Sequence, residues 1–159
     1  MDYCGEEMSV EIFSKEEFEN ALPSKDGQPL WVCLGVIQKE HCYQIEITPD
    51  IFIHIRSSIG INGYSANTGE DSIRAWLVDS NSKPLGSKVS KWTTRLPGWQ
   101  DRMLDVLQTL WNWAYQAGYC KECLIPMSVY KVKKKQSKYY GKVFCKCSRC
   151  GGGWKILDD

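Results

Sequence analysis

Two Cys-x-x-Cys knuckles constrain this chain more than any other feature: Cys120-Lys121-Glu122-Cys123 and Cys147-Ser148-Arg149-Cys150. Each knuckle bends the backbone enough to aim two sulfurs at one point. Together they suit a tetrahedral structural zinc held by Cys120, Cys123, Cys147 and Cys150. The 23 residues between them, Leu124 to Lys146, slightly exceed the spacing of about 15–20 usual in such sites. That stretch reads as a basic hairpin: Ser128 to Val132 leads out, Lys135 to Lys138 turns, and Tyr139 to Phe144 returns. Gly151, just past the second knuckle, supplies the free φ such a turn needs. Cys145 offers a competing thiol within Cys145-Lys146-Cys147, but only an x-x pair on each side keeps the two knuckles alike. Cys145 is therefore expected in a strand. The rival reading of the knuckles, a disulfide pair or a redox Cys-x-x-Cys, lacks a βαβ pattern around either one.

The order Cys120-x-x-Cys123, Pro126-Met127, lysine-rich hairpin, Gly141-Lys142-Val143-Phe144 and closing cysteine pair resembles the zinc ribbons at the C-terminal end of type IA DNA topoisomerases. The resemblance begins at Cys120 and does not extend to the part before it. It departs at Cys147-x-x-Cys150, a tighter second pair than that family usually has. What it implies is binding of single-stranded DNA by the ribbon, and nothing about catalysis.

Charge supports the same division of labour. Residues 1–50 carry −8, residues 51–119 carry +2 and residues 120–159 carry +7, within a net charge of +1. The basic tail is the expected contact for phosphates and the acidic N-terminal third is kept from them. Lys131, Lys133, Lys134, Lys135, Lys138, Lys142 and Arg149 are the cations concerned, with Tyr139 and Tyr140 interleaved. The acidic start has no apolar run, and the longest such run, Trp31 to Ile37, is far too short to span a bilayer. With eight cysteines, half at metal spacing, a reducing cytoplasmic setting is expected and no membrane partner.

The body, residues 1–117, precedes a ribbon over 118–159. A capping box, Ser14-Lys15-Glu16-Glu17, opens a first helix, with Phe13 and Phe18 as its hydrophobic staple and Pro23 as its stop. Strand patterns follow at Trp31–Ile37, Tyr43–Thr48, Ile51–Ile59 and Ser72–Asp79, and a basic fifth run at Lys88–Arg95. Pro97 opens a long helix in its first turn and Gly118 closes it, with Met103, Leu107, Leu110, Trp111 and Ala114 as the apolar stripe. The expected class is α+β: an antiparallel β-sheet packed by a long helix, followed by a Cys4 zinc ribbon. The β-β-β-β-α order of the body resembles the Whirly-type single-stranded DNA-binding fold in topology, and the body is equally compatible with half of a symmetric homodimer.

A glycine- and hydroxyl-rich loop, Ser57 to Asp71, is the second candidate for phosphate contact, through Tyr64 and the flanking Arg56 and Arg74. Trp76, Trp92, Tyr130 and Trp154 join Tyr64, Tyr139 and Tyr140 as candidate stacking rings; tryptophans such as Trp76 and Trp92 are more often core, and the Tyr139–Tyr140 pair is preferred. Cys33 and Cys42 read as buried, inert thiols. Catalysis finds poor material: Glu70, Asp71, Asp79 and Lys83 are the nearest approach to a metal-dependent nuclease site, and His41 and His54 are the only histidines. The function expected is therefore nucleic-acid binding without catalysis, with single-stranded DNA first and RNA as the alternative polymer. A protein-interaction adaptor docking through the ribbon is the competing class.

Overall fold

Strand-forming runs, alternating most clearly at Ile51, Ile53 and Ile55, fold the middle of the chain into antiparallel strands. The computed structural model describes residues 14–59, 72–93 and 97–158. Helix α1 (Lys15–Ala21) is followed by a short hairpin, β1 (Ser24–Lys25) and β2 (Gln28–Pro29). Then come β3 (Trp31–Ile37), β4 (Glu40–Thr48), β5 (Ile51–Ser57), β6 (Ser72–Asp79) and β7 (Pro84–Thr93). Helix α2 (Trp99–Ala117) leads to three short strands, β8 (Ser128–Lys131), β9 (Val143–Lys146) and β10 (Lys155–Leu157). Strands β3 to β10 form one eight-stranded sheet in the order β10-β9-β8-β7-β6-β5-β4-β3.

The capping box forms as its residues dictate. Glu17 N–H donates to Ser14 Oγ and Ser14 N–H to Glu17 Oε1, each at 3.1 Å. The short α1 then buries Phe18 against Tyr43 and Trp99; Phe13, its expected staple partner, lies outside the described residues. Cross-strand rows Tyr43–Ile55–Ala75 and Ile45–Ile53–Leu77 stand on one face of the sheet. Helix α2 crosses that face and buries Trp99, Met103, Leu107, Leu110, Trp113, Ala114 and Ala117 at helical spacing. Val129, Val143, Cys145 and Leu157 from β8 to β10 belong to the same core. No described helix is long and apolar enough to cross a membrane.

One contact joins the two halves of the sheet. Gly86 of β7 pairs with Val129 of β8 in a parallel register, so the sheet is mixed rather than antiparallel throughout. Gly86 has φ +102, and a Cβ there would lie 1.9 Å from the Val129 carbonyl oxygen. Only glycine permits this approach. The body strands β3 to β7 pair antiparallel throughout, as expected. The parallel step comes where β8 joins them, because the chain has crossed through α2 and returns in the β7 direction, as a helical crossover does.

Other boundaries differ from expectation for local reasons. Strand β4 starts at Glu40 because Gln38 and Lys39 take up positive φ and make the β3–β4 turn. Pro97 lies before α2, whose first turn opens at Trp99 behind Gly98. Trp113 is buried in place of Trp111, which is half-buried at the rim. Cys42 is buried as expected, but Cys33 is exposed. Strand β3 is the sheet edge, and beyond Trp31 all its residues face solvent.

Gly86→Ala should cost roughly 3 kcal/mol in chemical unfolding, from overlap with backbone plus positive-φ strain. Gly27→Ala, with φ +77 but open space around it, should cost only the strain, about 1 kcal/mol. Burial, then Arg56, lowers the pKa of His54; burial, then Lys15, lowers that of His41. Both are thus favoured neutral in the fold, and their stabilising share is present above the unfolded value of about 6.5 and lost as pH falls below it. His54→Gln should therefore flatten the loss of unfolding free energy between about pH 7 and 5; a slope identical to wild type would contradict it.

Candidate metal centre and its aromatic face

The two knuckles fold alike because they repeat the same backbone bonds. Leu124 N–H donates to Cys120 O at 2.8 Å and Gly151 N–H to Cys147 O at 2.9 Å. Cys120 N–H reaches Ile125 O and Cys147 N–H reaches Gly152 O, both at 2.9 Å. The residue after each second cysteine must take positive φ, +75° at Gly151 and +59° at Leu124. Glycine does so freely, whereas Leu124, also largely exposed, is strained.

These turns bring the sulfurs of Cys120, Cys123, Cys147 and Cys150 within 4.8 Å of one another. Cys120 Sγ and Cys150 Sγ are 3.7 Å apart, far longer than a disulfide bond of about 2.05 Å. A sulfur tetrahedron around an ion with bonds of about 2.3 Å has edges of about 3.8 Å, so the separation fits a shared metal ion. Backbone N–H groups aim at the sulfurs: Cys123 at Cys120 Sγ, Arg149 and Cys150 at Cys147 Sγ, and Gly152 at Cys150 Sγ, at 3.4–3.5 Å. The Cys150 and Arg149 amides pull the Cys147 thiol down to about 6. Lost solvation, followed by the neighbouring thiols, pushes Cys123 up to about 12. Cys147 is thus poised as a thiolate, whereas Cys123 needs a cation to lose its proton. Cys145 lies in β9, fully buried, with its sulfur turned toward Gly153 O at 3.8 Å and outside the cluster.

Beside the cluster, β8 and β9 present an aromatic face. Val129 pairs with Cys145 on the core side, so Tyr130 and its partner Phe144 stand on the side away from α2. Their rings stack at 5.5 Å; Phe144 touches Trp154 at 5.7 Å, and Trp154 touches Tyr139 at 5.6 Å. Lys146 Nζ lies 5.4 Å over Tyr130, and Lys138 Nζ 5.1 Å over Tyr139. Trp154 is 48% exposed and Tyr140 53%. Tyr139 and Tyr140 sit in consecutive turns rather than on the expected strand, because Ser137 N–H bonds to Lys134 O, Tyr140 N–H to Ser137 O and Lys142 N–H to Tyr139 O. The strand reading missed Phe144 and Lys146 as members of this face. Period-two alternation from Tyr130 would have found them only with the β8–β9 register known.

The remaining candidates divide. Lys131, Lys133, Lys134, Lys135, Lys138, Lys142 and Arg149 are all exposed, and among the described residues none of them forms an ion pair with a carboxylate. Arg56 and Arg74 are cross-strand partners on the body sheet, flank Trp76 at 5.7 and 5.5 Å, and both reach Glu40, at 4.0 and 2.6 Å. Their charge is already engaged. Tyr64, Glu70 and Asp71 lie outside the described residues. Trp92 is buried, and the Asp79 carboxylate accepts from Asn81 and Lys83 N–H to hold the β6–β7 turn.

No family model, curated protein or solved structure matches the chain, so the reading of the site rests on its geometry. Cys145→Ser is expected to keep one metal ion per chain in native mass spectrometry, whereas Cys147→Ser loses it. Retention in both would contradict the ligand set. Leu124→Gly should be neutral or stabilising by up to about 1 kcal/mol, and Gly151→Leu destabilising by about 1–2 kcal/mol, in thermal unfolding.

Proposed function

We propose that this chain binds single-stranded nucleic acid, that its four clustered cysteines hold a structural zinc ion, and that residues 118–159 form a zinc ribbon. Four thiolates in a closed tetrahedron suit zinc and leave no position for water or substrate, which makes the ion a structural one. It is needed because β8, β9 and β10 are too short to hold their arrangement unaided.

The observation that carries the functional reading is the row Tyr130–Phe144–Trp154–Tyr139, flanked by Lys138 and Lys146, on a segment whose exposed Lys133, Lys134 and Lys135 form no ion pair among the described residues. Ring faces stack unpaired bases at roughly 1–3 kcal/mol each, independent of sequence, and a duplex keeps its base faces hidden. Lysines free of carboxylates neutralise phosphates and release counterions. DNA is placed ahead of RNA on the resemblance to topoisomerase ribbons. Arg56 and Arg74, shared with Glu40, contribute less than their positions in the sequence suggest. An adaptor reading draws its support from β3 instead, where Val32, Leu34 and Val36 are exposed along the sheet edge; it requires salt-insensitive binding to a protein.

Fluorescence anisotropy of labelled single-stranded DNA, duplex DNA and RNA with zinc-loaded protein tests the reading across a salt series. Single strands should bind tightest, with affinity falling steeply with salt. Replacing Lys133, Lys134 and Lys135 together with Ala should reduce the log–log salt slope by about 2. Trp154→Ala should weaken binding by roughly 1–3 kcal/mol and leave that slope in place. Absence of binding to all three polymers at low salt would refute nucleic-acid binding.

A further inference from the structure

On the other side of the sheet, an open cleft of about 610 Å³ separates α2 from the cysteine-cluster strands. Three elements each bring a cation to it: Arg102 from α2, Lys131 from the end of β8 and Lys142 from just before β9. Among the described residues none of the three is ion-paired, although Asp105 and Asp158 also line the cleft. Like charges gathered in one cleft repel one another, and an anion seated between them relieves that repulsion. One wall is fixed: Gln116 Nε2 donates to Asp158 O at 2.7 Å, and Asp158 N–H donates to Gln116 Oε1 at 2.8 Å.

We propose that this cleft binds a nucleoside phosphate, either a free nucleotide or the terminal nucleotide of a strand. A guanidinium and two ammonium groups from separate directions match the oxygens of a phosphate dianion better than a planar carboxylate. The volume exceeds what an inorganic anion fills and falls within the range of about 300–1,000 Å³ typical of small-ligand sites. Val106 and Val143 line it with apolar surface and Tyr140 adds a ring, giving a base something to pack on. Where the base carries an exocyclic amino group, the two carboxylates can accept its hydrogen bonds. The inference stands on the cleft alone. Arg102 lies on α2, across the sheet from the stacking rings, so either site can fail without the other.

Two titrations of the metal-loaded full chain test it: deoxyadenosine monophosphate followed by calorimetry, and an oligothymidylate with and without a terminal phosphate followed by anisotropy. If the source is free nucleotide, the monophosphate binds and Arg102→Glu weakens it by about ten- to a hundredfold. If the source is a strand end, the terminal phosphate tightens oligothymidylate binding and Arg102→Glu abolishes that gain. Lys142→Glu should act in the same direction, and Trp154→Ala should leave the phosphate effect in place. The proposal is overturned if the monophosphate does not bind and the terminal phosphate has no effect. It is equally overturned if Arg102→Glu, with its circular dichroism unchanged, binds both probes as wild type does.

Discussion

The convergence of four sulfurs is the constraint on which everything after α2 depends. Strands of four, four and three residues have too little cooperative pairing to persist alone. A metal ion shared by the four would tie the loop after α2 to the loop after β9, and so fix where β8 starts and where β10 follows β9. Met127, between the first knuckle and β8, is buried against the same core as α2. The cluster therefore anchors a sheet extension whose inner side continues the core of the body, and Gly86 lets the two parts of the sheet meet at backbone distance. Loss of the cluster would loosen the wall of the cleft and the aromatic row together, since both stand on β8 and β9.

The two sides of the sheet have been given different chemistry. The α2 side is apolar under the helix and becomes basic only where the helix and the added strands part. The open side carries rings and cations in two groups. In the body, Arg56 and Arg74 flank Trp76 and share Glu40, a self-neutralised cluster whose main effect is local order. On β8 and β9 the cations form no ion pair with a carboxylate among the described residues.

Much of this was legible in the sequence, wherever a local rule decides the outcome. The capping box at Ser14, the alternation of Ile51, Ile53 and Ile55, the closing Gly118 and the four metal-type cysteines are each set by neighbours within a few residues. Choosing Cys147 over Cys145 also followed from spacing, because the two knuckles need the same turn. Features set by long-range geometry were not legible. Cys33 sits in an apolar run that reads as buried, yet its strand lies at the sheet edge, and edge position is a property of topology. Arg56 and Arg74 read as free cations because nothing local reveals that Glu40, on a different strand, reaches both. The parallel step at Gly86 and the Tyr130–Phe144 pairing depend on register between strands far apart in the chain. Tyr139 and Tyr140 were placed on a strand because their composition favours one, and a run of turns from Lys134 to Lys142 overrode it.

The central claim is that the open face of the cysteine-anchored strands contacts single-stranded nucleic acid. An amide and indole NMR titration of the zinc-loaded chain with oligothymidylate tests it most directly. The largest shifts are expected at Tyr130, Phe144, Trp154, Tyr139 and the neighbouring lysines, with the Trp154 indole signal moving and those of the buried Trp92 and Trp99 holding still. Shifts concentrated on β3, or none anywhere at saturating oligonucleotide, would contradict it.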